Sequence, residues 1–234
     1  MFTEHLIPYD THTYDFQSIV RRIFEVDDLQ KTHELLPSVT EQITFDDDTK
    51  TWFHKKYYSS ATYSELIKLY DRFVKEVILP RYSDSEFAVQ VDPSFRIHLP
   101  NNTALGVREN DSDDKIGIHC DADYNHQIGE INFILPLTPM FDTNSVYTES
   151  EPGKEDYHSI NVPIGNVFCF YGNKCRHYNM KNTTGVSRLS IDFRIIPMSK
   201  YDYNWTSVSI HGKRPLTLSG YFKKVNGEEN VSSS

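Results

Sequence analysis

Residues 117–127, GIHCDADYNHQ, hold two histidines, two aspartates and a cysteine within eleven positions. Imidazole and carboxylate together offer a neutral nitrogen and an anionic oxygen, a donor mix that suits first-row divalent metals. On an extended chain, side chains two apart leave the same face, so His119 and Asp121 point one way and Cys120 the other. Asp123 shares their parity but lies roughly 13 Å from His119 at about 3.3 Å rise per residue, so it is the poorer partner. Two donors do not make a specific site, and a third must come from elsewhere. His177 stands out, 58 residues beyond His119, just after the strand-like VFCFYG and the turn GNKCR. Arg188 follows eleven residues later, with Ser190 close behind. His126 and His158 lack this carboxylate partner and strand context. His126 reads as a substrate-facing or surface histidine, and His158, in a polar stretch, as a solvated one.

Other strand-like segments carry chemistry on one face. In VSRLSIDFRII, Leu189, Ile191, Phe193 and Ile195 fall on one side, and Arg188, Ser190, Asp192 and Arg194 on the other. In SFRIHL, Arg96 and His98 oppose Phe95, Ile97 and Leu99. A single such strand is better explained by an antiparallel sheet with one wet face. Three of them bearing His, Asp and Arg, where Lys, Glu and Thr would be usual, point instead to a hollow, functional interior.

The elements that must position these residues come in two blocks. The first ninety residues read as helical: 14–24, about 28–36 with Pro37 as its stop, and 64–79. The last places Leu66, Tyr70, Phe73 and Val77 at helical spacing, with Ser64 as a possible cap and Pro80 ending the pattern. From about residue 87 the period changes to short runs rich in β-branched and aromatic residues, namely FAVQV, SFRIHL, KIGIHCD, EINFILPL, VFCFYG and VSRLSIDFRII. Short strands with turn signals and no helical pattern between them imply a β-sandwich or jelly roll. Residues 138–159 read as a long loop, and the final EENVSSS as a frayed end. The fold class is therefore mainly β with N-terminal helices. Its expected parts are 1–90 packing on a core at 91–200, with 201–234 as a C-terminal extension of one compact domain.

Composition narrows the functions. With 15 Tyr and 14 Phe, the chain can bury a sizeable core without disulfides. Its three cysteines cannot all pair, and they read as buried small residues in a reducing compartment. A net charge of −9 argues against a nucleic-acid binder and leaves room only for a local basic pocket. Neither a secretory signal nor a membrane span is visible, so the expected setting is cytoplasmic, with a small-molecule partner and no membrane. Oligomeric state is not legible.

His119-Cys120-Asp121, then His177, then Arg188-Leu189-Ser190 resembles the pattern of the Fe(II)- and 2-oxoglutarate-dependent oxygenases, which are built on a double-stranded β-helix of cupin-like jelly-roll type. The runs HCDADYNHQIGEINFILPLT, ESEPG, GNKCRHYN and SRLSIDFR look like its StrG-like subgroup, named after a streptomycin-biosynthesis protein. The resemblance covers about residues 92–196. It implies that His119, Asp121 and His177 hold Fe(II), leaving three positions for the cosubstrates 2-oxoglutarate and O2. It implies too that Arg188 grips the far carboxylate of 2-oxoglutarate, with Ser190 adding a hydroxyl. Arg194 shares that strand face and is the rival anchor, but the Arg-X-Ser pattern favours Arg188. Hydroxylation of a sugar, aminocyclitol or similar polar metabolite, with release of succinate and CO2, is the implied outcome, although desaturation, epimerisation and cyclisation use the same site. Arg96, Tyr124, His126, Glu130, Asn132 and Glu149 are the candidates for contacting substrate, and Arg96 could equally pair with Asp192. A cupin-like enzyme independent of 2-oxoglutarate would usually show His-X-His and a Pro-X-Gly nearer the last histidine than Pro163-Ile164-Gly165 lies here. A non-catalytic carbohydrate-binding jelly roll would need no such constellation.

Overall fold

Apolar periodicity in the first block produces helices that cover a sheet. The computed structural model describes residues 4–35, 51–102, 116–209 and 214–227. A short strand, β1 (His5–Pro8), precedes helix α1 (Phe16–Phe24). The Asp15 side chain caps α1 by accepting from the Ser18 amide, and Glu25 ends it in the left-handed conformation. Phe16, Ile19, Val20, Ile23 and Phe24 form its buried stripe. A 3-10 turn, Leu29–Leu35, follows; Pro37, expected to stop it, lies outside the described residues. Helix α2 (Trp52–Ser59) and helix α3 (Tyr63–Phe73) complete the layer.

The expected helix at 64–79 is thus corrected. It begins one residue earlier, with Thr62 and not Ser64 at the cap position, and becomes a π-helical turn at Val74–Ile78 and a 3-10 turn at Leu79–Arg81 around Pro80. Proline lacks the amide proton that an α-helical ladder needs there.

Strands β2 (Glu86–Gln90), β3 (Ser94–His98), β4 (Ile116–His119), β5 (Ile131–Pro136), β6 (Val146–Thr148), β7 (His158–Ser159), β8 (Asn166–Phe170), β9 (His177–Asn179), β10 (Arg188–Pro197) and β11 (Phe222–Asn226) form two antiparallel sheets. The larger runs β1-β8-β5-β10-β2-β11, with β3 also on β10; the smaller runs β4-β9-β6-β7. Ten-residue β10 organises the larger sheet. One edge pairs with β5, and the other with β3 over Arg188–Asp192 and then β2 over Ile195–Pro197. The segment expected to be a loop, 138–159, contains β6 and β7, which are too short to show alternation.

Alternation along β10 and β5 sorts the two faces. Leu189, Ile191, Phe193 and Ile195 join Ile131, Phe133 and Leu135 in one apolar cluster with the helices. On the opposite face Ile134, Phe168 and Phe170 pack with Val146 and Ile160, leaving a polar hollow beside them. β1 and β11 bring both ends of the described chain into the larger sheet. No helix of the described residues is long and apolar enough to cross a membrane.

One buried histidine of the helical layer makes the fold acid-sensitive. His54 of α2 is only 4% exposed, with its Nδ1 2.7 Å from the Thr51 hydroxyl and its ring edge-on to Phe95. Burial, assisted by the nearby Arg96 charge, lowers its pKa from 6.5 to about 4. The unfolded chain therefore binds the extra proton first, and this contribution to stability is lost as pH falls from about 6.5 towards 4. The full effect is roughly 3 kcal/mol. In urea titrations, His54→Leu should show a shallower loss of stability between pH 7 and 4.5 than the parent protein.

Candidate metal centre

Strands β4 and β9 lie side by side, and their register sets His119 opposite His177. Beyond His119 the chain leaves the strand and turns at Asp121–Tyr124, with Asn125 in the left-handed conformation. This turn is tied to the β8–β9 connection by the Asp121 amide on the Gly172 carbonyl (2.9 Å) and the Ala122 amide on the Asn173 carbonyl (3.2 Å). Gly172 leaves room for two neighbours of the site, since a Cβ there would come within 2.9 Å of the Phe170 ring and 3.0 Å of the Asn132 side chain.

The result brings one donor atom from each of His119, Asp121 and His177 within 4.8 Å of one another, and no other such group occurs among the described residues. The remaining atoms of all three are already engaged. Nδ1 of His119 bonds to the Gly117 carbonyl (2.5 Å), and Nδ1 of His177 to the Cys175 carbonyl (3.0 Å). Both rings thereby keep the proton on Nδ1 and turn Nε2 inward as a lone-pair donor. Those Nε2 atoms lie 4.0 and 3.8 Å from Oδ1 of Asp121. Two imidazole nitrogens and one carboxylate oxygen converging from one side fit a divalent first-row metal with open positions opposite.

Oδ2 of Asp121 faces away from the histidines. It accepts from Asn132 Nδ2 (2.5 Å) and from Arg194 through Nε (2.8 Å) and a terminal nitrogen (2.7 Å). Burial alone would raise the Asp121 pKa, but Arg194 and then the neighbouring histidines hold it far below the usual carboxylate range. The group is an anion at any physiological pH, ready to bind a cation.

A cavity opens beside this triad. Its wall includes Arg188, only 2% exposed. The guanidinium donates to the Asn144 carbonyl (3.0 Å), the Ser190 hydroxyl (3.1 Å) and Asn179 Oδ1 (3.2 Å). All three acceptors are neutral, and among the described residues no carboxylate lies within 4 Å of it. Burial lowers its pKa to about 10, a shift opposed by Asp192 and assisted by Arg96, so it stays charged. A guanidinium has five N–H donors, and three bonds leave one on each terminal nitrogen. A buried, oriented cation with two spare donors can receive an anion, and its fork matches a carboxylate.

The structure separates the residues expected to meet substrate. Arg96 and Asn132 line the cavity. Arg96 also pairs with Asp192 (3.1 Å), the partnership left open by the sequence. Tyr124 stacks edge-on against His119, with centroids 4.7 Å apart, outside the cavity lining. His126 and Glu130 bond to each other (2.7 Å) in the interior, so His126 is neither a surface residue nor a lining one. Glu149 is fully buried and accepts from the Glu155 and Arg176 amides, which stabilises a turn. His158 is not simply solvated, since it pairs with Glu4 (2.7 Å). Asp123 accepts from the Cys120 amide and faces Arg176. All three cysteines are buried and free. Arg194, considered as a rival anchor, is committed to Asp121. Nothing local in the sequence marks Asn144 and Asn179, each of which accepts from an arginine on another element.

No family model matches the chain. It is 29% identical over 217 residues to the streptomycin biosynthesis protein StrG of Streptomyces griseus, spanning 93% of this chain and 96% of that one. Among solved structures it is similar to a nickel complex of the non-heme monooxygenase ThoJ, with 10% identity, TM-score 0.46, and 98% and 87% of the two chains covered. CytC3 with Fe(II) and alpha-ketoglutarate is similar at 12% identity and TM-score 0.46, over 97% and 94% of the chains. HygX from Streptomyces hygroscopicus, with nickel and 2-oxoglutarate bound, is similar at 13% identity and TM-score 0.39, over 84% and 83%.

Proposed function

We propose that the protein is an Fe(II)- and 2-oxoglutarate-dependent oxygenase acting on a small polar metabolite, with a double-stranded β-helix formed by its two sheets. The observation that carries this reading is the pairing, across one cavity, of the three convergent donors with a buried arginine that has no carboxylate partner among the described residues. A metal site alone would fit many enzymes. The second feature supports a cosubstrate that binds metal at one end and carries an anionic group at the other.

In this reading His119, Asp121 and His177 hold the metal, and Arg188, steadied by Ser190, Asn179 and the Asn144 carbonyl, receives the far carboxylate. Bound iron and 2-oxoglutarate supply O2-driven oxidation coupled to release of succinate and CO2. Ile134, Val146 and Phe170 give the cavity apolar wall that excludes water, which strengthens the Arg188 attraction for a carboxylate. Arg96, Asp192 and Asn132 supply the polar part of the lining, which suits a substrate rich in hydrogen-bonding groups. The likeness to StrG, a streptomycin biosynthesis protein, supports a biosynthetic intermediate as substrate, and within this reading a sugar or aminocyclitol is hydroxylated.

The test is release of labelled CO2 from 2-oxoglutarate carrying the label at C1. Release that requires Fe(II) and O2, and rises when the correct metabolite is added from a panel of sugars and aminocyclitols, is expected. A protein that binds iron tightly yet releases no CO2 with any of the panel would contradict use of 2-oxoglutarate.

A further inference from the structure

The grip on Asp121 goes further than a metal site requires. Three donors converge on Oδ2 and none of them touches Oδ1, which alone faces the two Nε2 atoms. Arg194 supplies two of the three, and it is held in turn from both sides. Its remaining terminal nitrogen donates to the Tyr221 hydroxyl (3.1 Å), and its Nε lies 3.4 Å from Glu130. Glu130 accepts from His126 and from the Gln127 amide (3.0 Å). Asp121 and Glu130 thus flank one guanidinium, all of them at most 8% exposed. Gln127 ties the same turn to the C-terminal segment, donating to the Leu216 carbonyl and accepting from the Asp202 amide.

We propose that Arg194 is a positioning residue: anchored by Tyr221 of the C-terminal segment, it occupies Oδ2 of Asp121 so that this carboxylate offers a metal one oxygen and not two. The inference rests on the metal-centre reading above. Its consequence is coordination number. A carboxylate free to swing would bind through both oxygens and take a position that the open face needs, whereas the clamped one leaves three. The geometry also explains why a second arginine stands on the face of β10 that bears Arg188. Arg188 serves the distal end of the cavity and Arg194 the metal end. The C-terminal segment, remote in sequence, thereby becomes part of the metal centre.

The test uses Co(II) titration of the full-length protein, read by its visible absorption and by calorimetry, on the parent, Arg194→Lys and Tyr221→Phe. A lysine keeps the charge but is a point donor that cannot send two N–H groups to Oδ2 while holding Tyr221. Loss of a partner that orients a ligand typically weakens metal affinity by about 10–100-fold. Arg194→Lys is therefore expected to weaken Co(II) at least tenfold and to alter the visible spectrum, with one site retained. Tyr221→Phe should do so by a smaller factor, at least threefold. Should Arg194→Lys fail to fold, as melting will reveal, Tyr221→Phe decides by its threefold threshold. A folded Arg194→Lys with affinity within threefold of the parent and an unchanged spectrum overturns the proposal, since a merely structural arginine would move melting and not the spectrum. If the parent itself binds no Co(II), it is the metal-centre reading that fails.

Discussion

Replacing Arg188 with methionine should raise the concentration of 2-oxoglutarate needed for half-maximal turnover by two to three orders of magnitude while leaving metal affinity within a few-fold of the parent. Truncating one partner of a buried charge pair costs about 2–5 kcal/mol, and each 1.4 kcal/mol is tenfold. Methionine keeps much of the volume and flexibility of the side chain, so the loss reports charge and not a void. The apo fold should tolerate the change or gain from it, because Arg188 meets only neutral acceptors there and its burial lowers its own pKa. Arg188→Lys should recover part of the binding, since the charge returns without the fork. Steady-state kinetics with 2-oxoglutarate varied, alongside calorimetric Fe(II) titration, separate the two effects. Equal losses in both would mean that Arg188 supports the fold generally and is not a carboxylate anchor.

The second large effect is expected at His177. His177→Ala removes one of three donors, and metal affinity should fall by more than the roughly 100-fold that loss of an orienting partner can cost. Turnover should fall with it to background. His177 lines the cavity and is itself partly exposed, so its removal opens no sealed void and melting of the metal-free protein should change little. His126→Ala is the contrasting variant. It removes a buried imidazole that serves Glu130 and lines no part of the cavity, so it should lower stability while leaving one metal site in place. Parallel melting curves and metal titrations distinguish the two histidines.

Strand parity explains why much of this site was legible in the sequence. Arg188, Ser190, Asp192 and Arg194 had to share a face of β10, with the apolar residues between them turned towards the helices; His119 and Asp121 converge as parity predicts, although Asp121 sits in the turn just past β4. β10 and β5 are buried on both faces, but the side chains that join the helix-facing apolar cluster alternate along each: Leu189, Ile191, Phe193 and Ile195, and Ile131, Phe133 and Leu135. His177 could be singled out by its place after a strand and turn, but its register opposite His119 is a long-range fact that no local pattern encodes. The same limit hid the role of Arg194, whose partner Asp121 lies 73 residues away. Parity placed Arg194 on the correct face but could not say which acid would claim it.

The misassigned pieces fail for recognisable reasons. β1 is four residues long with one buried side chain, Ile7, and carries no alternation to read. β6 and β7 are three and two residues long, and the main-chain bonds that define them go to β9 and to each other. Glu130 has the same parity as Asn132, which in a continuous strand would turn both towards the cavity. It precedes β5, where strand parity no longer governs direction, and it turns into the interior towards His126 and Arg194. Tyr221 offered no signal, being a tyrosine in a segment with no motif.

The most direct test of the central claim is anaerobic addition of Fe(II) and then 2-oxoglutarate to the purified protein, followed by visible absorption. A weak charge-transfer band should appear in the parent protein only when both are present. It should vanish in His177→Ala, and in Arg188→Met it should need far more 2-oxoglutarate to form. No band in the parent at saturating concentrations, or a band that survives unchanged in both variants, would contradict the account.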